Sequence, residues 1–390
     1  MLKNNPLWSI GFRPFFLGAA FWAAASILIW LGLVDFNWSF KLNGLAPMIW
    51  HAHEMIFGYA LAVIAGFLLT AVPNWTNSPP VNGWLLFTIF SCWLLARLSS
   101  LFGGEAGLSI TGFLDLAFLC GLFIAIATPI FKRRQFRQAG ILVKILLMAT
   151  ANLLFYLGAA GILENGTHYG LYAAFYLIIA LILTLARRVF PMFITNGVGL
   201  KKPLTNRRWV DISSLAVFSV FWVLEIFQFS ATATSWVALL LMLIHSMRLF
   251  DWYAPGMWQK PLVWVLYVSY VFMVLGFGLK ASSLIGIYVS PILSLHLFAI
   301  GGIGMVTCGM ISRVSLGHSG RNIHNPSPWL TAIFICLVAA TIVRVVFPLV
   351  AMQHYLLWMS LSKVFWIAGF AGFLIIYTPM LTKPRVDQPD

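Results

Sequence analysis

Charge is scarce in this sequence, and negative charge is scarcest. Ten Asp plus Glu stand against 24 Lys plus Arg in 390 residues. Charged residues make up 9% of the chain, where a soluble domain carries about 25%. That shortage excludes an ordinary soluble globular domain and a disordered segment together. Cysteine is equally uninformative as a scaffold: Cys92, Cys120, Cys308 and Cys336 lie far apart inside apolar runs, with no CxxC or CxxCH. A disulfide framework, a zinc knuckle and covalent c-type haem attachment are therefore excluded. No Walker A loop, G-x-G-x-x-G, H-E-x-x-H or G-x-S-x-G string occurs. There is also no repeat of 20 to 50 residues.

What is abundant is apolar surface. Hydrophobic residues make up 61% of the chain, and the mean hydropathy is +0.92. A helix crosses the hydrocarbon core with about 20 apolar residues. The sequence divides into twelve such segments, at about 15–34, 48–72, 82–101, 108–131, 139–162, 170–190, 211–229, 233–249, 262–280, 289–312, 328–349 and 355–379. The expected fold is all-α: one integral membrane domain over residues 1–390, a bundle of about twelve transmembrane helices. The first segment follows Lys3 and Arg13 and is longer than a signal-peptide core, so it is expected to stay in the protein. Turn chemistry separates the segments, as at Ser78-Pro79-Pro80, Asn165-Gly166 and Pro255-Gly256.

The net charge of +14 would raise nucleic acid as a partner for a soluble chain. In a polytopic protein it reads as basic loops facing anionic lipid, so lipid is the expected partner and nucleic acid is not. With the N-terminus inside, 18 of the 24 basic residues fall on the inner side, among them Arg133, Arg134, Lys201, Lys202 and Arg385. Both termini are expected to be cytoplasmic, in a bacterial inner membrane. The longest loop, about 188–210, joins two sets of six helices. Many secondary transporters share that layout, so architecture does not choose between a transporter and an enzyme.

Ionisable groups at membrane depth are the functional candidates. The densest group is Trp50-His51-Ala52-His53-Glu54-Met55 at the start of helix two. On a regular helix His51, Glu54, Met55 and Gly58 share a stripe, and His53 lies about 200° from His51. One of the two histidines is then a ligand and the other a supporting or proton-carrying group, or they serve two ligands. His296 opens helix ten beside Gly301 and Gly302, which would let a flat ring approach the backbone. On this topology His296 shares the outer half of the membrane with His51 and His53. Thus His51, His53 and His296 are candidate metal ligands, and His245 in helix eight is a further cofactor-binding candidate. Glu54 is the candidate catalytic proton carrier. Arg13, Arg313, His318 and Arg321 form a candidate second polar cluster on the inner side, suited to propionates, phosphate or a quinone head group. Asp115, Glu225 and Lys363 are isolated ionisables without assigned partners. Histidines without carboxylate-rich clusters suit haem or copper better than calcium or magnesium.

The run His51-Ala-His53-Glu54-Met-Ile-Phe-Gly-Tyr, continuing through Gly66 to Thr76, closely resembles the NnrS family. So do Phe12-Arg13-Pro14-Phe15-Phe16, Arg187-Arg188-Val-Phe190-Pro191-Met192, and the segment from His296 through Arg313 to Arg321. The resemblance covers nearly the whole chain. It implies an inner-membrane protein containing haem, expected as haem b, and copper, linked to denitrification and relief of nitric oxide stress. The implied activity is an oxidoreductase acting on nitric oxide with a quinol as electron donor. The alternative is a twelve-helix transporter or a membrane sensor of haem or nitric oxide. One departure stands out: the family pattern has a histidine in helix nine where this chain has Tyr267.

Overall fold

The computed structural model describes residues 5–387, the side chain of residue 105 excepted. Its regular structure is helical, with no strand among the described residues. Twelve helices are long and apolar enough to cross a membrane. They are α1 (Phe12–Asp35), α2 (Pro47–Thr76), α3 (Gly83–Phe102), α4 (Ala106–Lys132), α5 (Phe136–Ala159), α6 (Gly166–Val198), α7 (Arg208–Phe227), α8 (Ala231–Trp252), α9 (Pro261–Ile285), α10 (Pro291–His318), α11 (Trp329–Val350) and α12 (Met352–Thr382). Large apolar side chains such as Phe113 and Ile375 are more than 70% exposed. In water that would be a liability; toward lipid tails it is the expected outer surface.

Local chemistry sets the ends. Pro47, Pro261 and Pro291 occupy the first turns of α2, α9 and α10, where a missing N–H costs nothing. Ser230 caps α8 by accepting the Ala233 amide at 3.2 Å. Asn77 and Gln228, at φ 47° and 51°, end α2 and α7 in left-handed geometry.

Two helices run past their expected ends. α6 continues through Pro191 to Val198, into the stretch expected to be loop. Proline is tolerated there because neighbouring groups in a membrane bundle re-satisfy the backbone. α10 continues to His318, because nothing breaks it before Gly320 at φ 76°. Arg313 and His318 therefore lie on the helix and not in the loop beyond it.

A second difference bears on the site. Residues Glu54–Ala60 of α2 and Leu297–Gly304 of α10 are π-helical, each starting immediately after a candidate histidine. A π turn carries more residues per turn than an α turn, and such segments concentrate at functional sites. The expected stripe nevertheless meets one helix: His51 stacks on Trp30, Met55 accepts from Ser26 at 3.5 Å, and Glu54 and Gly58 face Trp22, all on α1.

The chain forms two compact units. One comprises residues 1–177, 314–321 and 370–390, and the other 178–313 and 322–369, so the division falls within α6, α10 and α12. In the first, α1 packs on α2, α2 on α4, α3 on α4 and α4 on α5. In the second, α7 packs on α8, α8 on α9, α9 on α10 and α10 on α11.

Candidate functional site

The first unit holds a closed network of buried charges. Glu54, Arg97, Asp115 and His53 are each 2% exposed or less. They come from the start of α2, the end of α3 and the start of α4, which the antiparallel course brings to one face. Glu54 stands about 10 Å inside the start of α2 at 1.5 Å per residue. Arg97 donates through Nη1 to Glu54 Oε2 at 2.8 Å and through Nη2 to Asp115 Oδ1. Tyr156 on α5 donates its hydroxyl to Asp115 Oδ2 at 2.7 Å. Trp22 on α1 donates to Glu54 Oε2 at 2.8 Å. Five helices thus meet on one guanidinium and two carboxylates.

His53 completes the network. Its Nδ1 faces Glu54 Oε1 at 3.2 Å. Its Nε2 faces Asn152 Oδ1 at 3.1 Å and Asp115 Oδ2 at 3.6 Å. Phe155 stacks on the ring at 4.3 Å. Both ring nitrogens thus face oxygen atoms of the network. Two donors in the network have no partner: Arg97 Nε and Asn152 Nδ2. A buried donor without an acceptor is costly, and in a native protein it marks a place for water or a ligand.

The π segment has its own support. Its Gly58 carbonyl accepts from Trp93 Nε1 at 2.9 Å. A Cβ on Gly58 would stand 2.6 Å from Trp22 Nε1 and 2.9 Å from Glu54 Oε2. This glycine therefore makes room for the Trp22–Glu54 hydrogen bond. The glycines of α10 are filled in the same way, Gly301 by Phe272 and Gly302 by Met273, at 2.7 and 2.9 Å from where a Cβ would be. The space expected beside them for a flat ring holds α9 side chains instead.

His51 is half-buried and stacks on Trp30 of α1 at 4.8 Å. His53 and Glu54, neighbours in sequence, are both buried and in contact.

In the second unit His296 hydrogen-bonds through Nδ1 to the Ile292 carbonyl at 2.7 Å. A carbonyl only accepts, so Nδ1 is the donor in this contact. Histidines that bind a metal through Nε2 are commonly held this way. His245 is fully buried; its Nδ1 meets the Tyr270 hydroxyl at 2.6 Å and its Nε2 has no partner. Arg248 donates to Tyr270 at 3.1 Å, Asp211 at 2.6 Å and Ser214 at 3.2 Å. Arg313 lies over the Phe193 ring at 3.9 Å. Glu225 pairs with Lys280 at 2.8 Å. Tyr267 donates its hydroxyl to the Leu249 carbonyl at 3.2 Å. Among the described residues no three His, Cys, Asp or Glu side chains gather as a metal-holding group.

A model of the NnrS protein family matches residues 6–385. The chain belongs to the NnrS family. No curated protein matches it. The family match spans both compact units, so the buried charge network of α2 to α5 and the helix bearing His296 both lie inside the family's extent.

Sequence reasoning found His53, Glu54 and Asp115 but left Asp115 without a partner, and missed Arg97, Tyr156, Asn152 and Trp22 as members of the network. The signal for Arg97 was present: an arginine inside Leu94-Leu95-Ala96-Arg97-Leu98 cannot stay unpaired in a membrane span.

Proposed function

We propose that this NnrS family member is a haem-dependent oxidoreductase that removes nitric oxide reductively, taking its substrate from the membrane and electrons from a quinol. The reading places it in a bacterial inner membrane with both termini cytoplasmic, serving nitrosative-stress or denitrification metabolism. The observation that carries it is the Glu54–Arg97–Asp115–His53 network, buried among five helices with two donors unsatisfied. Isolating two carboxylates, a guanidinium and an imidazole from water is expensive, and a membrane span bears that cost where charge is used.

Within this reading His296 is the first choice to hold haem iron, because its Nδ1 proton is already committed to Ile292. His245, buried with an unpartnered Nε2, also fits. His51 is the ligand choice in the first unit, since both nitrogens of His53 face the network. The haem, as haem b, would supply a redox-active iron able to bind a diatomic ligand. Copper enters through family membership, and no ligand set in this chain is assigned to it.

The chain's own contribution is proton handling. Nitric oxide reduction consumes protons as well as electrons. Glu54 sits between a fixed cation, Arg97, and a titratable ring, His53, so it can give up and regain a proton without leaving its hydrogen bonds. Arg97 and Trp22 hold the carboxylate in place, and Tyr156 holds Asp115.

The test is nitric oxide consumption by membranes supplied with quinol, followed with an electrode. The wild type should consume nitric oxide above membranes lacking the protein. Glu54→Gln should slow consumption at least about tenfold, in line with the usual contribution of a general acid or base, and leave bound haem unchanged. Equal consumption by wild type and Glu54→Gln across pH would refute the proton role. No consumption by the haem-loaded wild type would favour the transporter or sensor alternative.

A further inference from the structure

One end of the first unit gathers positive charge that the nitric oxide reading does not use. Arg13, in the first turn of α1, is 3% exposed. Its Nη1 donates to the carbonyls of Leu381 at 3.1 Å and Lys383 at 2.5 Å, just where α12 ends. Arg321 and Arg385 are close enough for their charges to act on it. His318, at the end of α10, packs its ring against Phe12 at 5.6 Å and also feels Arg385. The segment after α12 is tied across this group: Val386 N–H donates to the Ser319 carbonyl at 3.2 Å.

Acceptors do not match these donors. Asp387 is the acidic partner, and Arg385 takes it with two hydrogen bonds of 2.9 and 2.7 Å. Arg13 Nε and Arg321 Nη1 are buried atoms without any acceptor. An unmet guanidinium donor out of water is costly. Two of them, on separate segments that converge with a third arginine, are hard to explain by packing alone. A tetrahedral oxyanion answers the geometry, since its oxygens can accept from several guanidinium groups at once. The start of α1 adds the favourable end of a helix dipole. The Arg385–Asp387 pair is exposed, so an arriving anion displaces it at small cost.

We propose that Arg13, Arg321 and Arg385, with His318 at the edge, bind a phosphate-type oxyanion at this end of the first unit, supplied as free phosphate or as the headgroup of an anionic phospholipid. The site is independent of the haem reading, and its test needs no turnover.

The full chain, purified in a neutral maltoside detergent and stripped of lipid, is heated in sodium phosphate and in chloride of equal ionic strength. It is also heated with short-chain phosphatidylglycerol and with phosphatidylcholine of the same chain length. A saturable rise of Tm by several degrees is expected in phosphate, in phosphatidylglycerol, or in both. A rise with phosphatidylglycerol alone identifies a lipid site, and a rise with phosphate alone identifies a free-anion site. Arg321→Gln and Arg385→Gln, at less buried positions than Arg13, should each raise the half-saturating concentration at least about tenfold. The proposal fails if neither ligand raises Tm above its control. It also fails if the rise has the same midpoint in both variants, which is the mark of non-specific screening.

Discussion

Arg97 is the residue on which the first unit's charges depend. It pairs with Glu54 and Asp115 at once, and none of the three is more than 1% exposed. Removing one member of a buried ion pair costs about 3–5 kcal/mol, because the other charge is left without compensation. Arg97→Met should therefore leave two uncompensated carboxylates and lose folded protein altogether, read as loss of a monodisperse peak in size-exclusion chromatography. Glu54→Gln keeps an oxygen for Arg97 and Trp22 and should fold. The contrast between the two variants separates the role of holding the helices from the role of carrying a proton. At this scale the sequence exposed the histidines and Glu54, since buried ionisable residues stand out in apolar runs. It hid Tyr156, Asn152 and Trp22, because such residues are ordinary in a membrane helix and only the packing of α1, α4 and α5 turns them toward the charges.

The π segments belong to the scale of the element. Twelve helices were legible from hydropathy, because length and apolar content are all that a span requires. The π segments were not, because a regular 100° stripe is the only periodicity a sequence offers before neighbours are known. Trp93 illustrates the cause: its indole N–H takes the Gly58 carbonyl, an option invisible until α3 lies against α2. The same blindness gave the glycines of α10 to a flat ring when they in fact seat Phe272 and Met273. Gly58→Ala tests the π segment of α2. The added methyl would meet Trp22 Nε1 at 2.6 Å and Glu54 Oε2 at 2.9 Å, so the Trp22–Glu54 hydrogen bond must open. Overpacking of this kind costs about 1–3 kcal/mol. A lower Tm and a shifted tryptophan emission are expected; an unchanged Tm would mean that the segment yields easily.

Across the whole molecule, the distribution of charge fixes the expected orientation. Eighteen of 24 basic residues fall on the side of the N-terminus when twelve spans alternate. Reporter fusions after Thr382 should be active only with a cytoplasmic reporter, and a periplasmic signal would reverse the assignment of sides. The proposed haem reading rests at this scale on the buried network and on His296, whose Nδ1 donates to the Ile292 carbonyl. The direct measurement is the absorption spectrum of the full chain purified from haem-replete cells, oxidised and then reduced with dithionite, beside that of His296→Ala at equal yield. A Soret band with a reduced α-band is expected in the wild type, and a lost or shifted Soret band in His296→Ala. A featureless wild-type spectrum would contradict the haem reading, and an unchanged spectrum in His296→Ala would move the iron to another histidine, with His245 next to be tested.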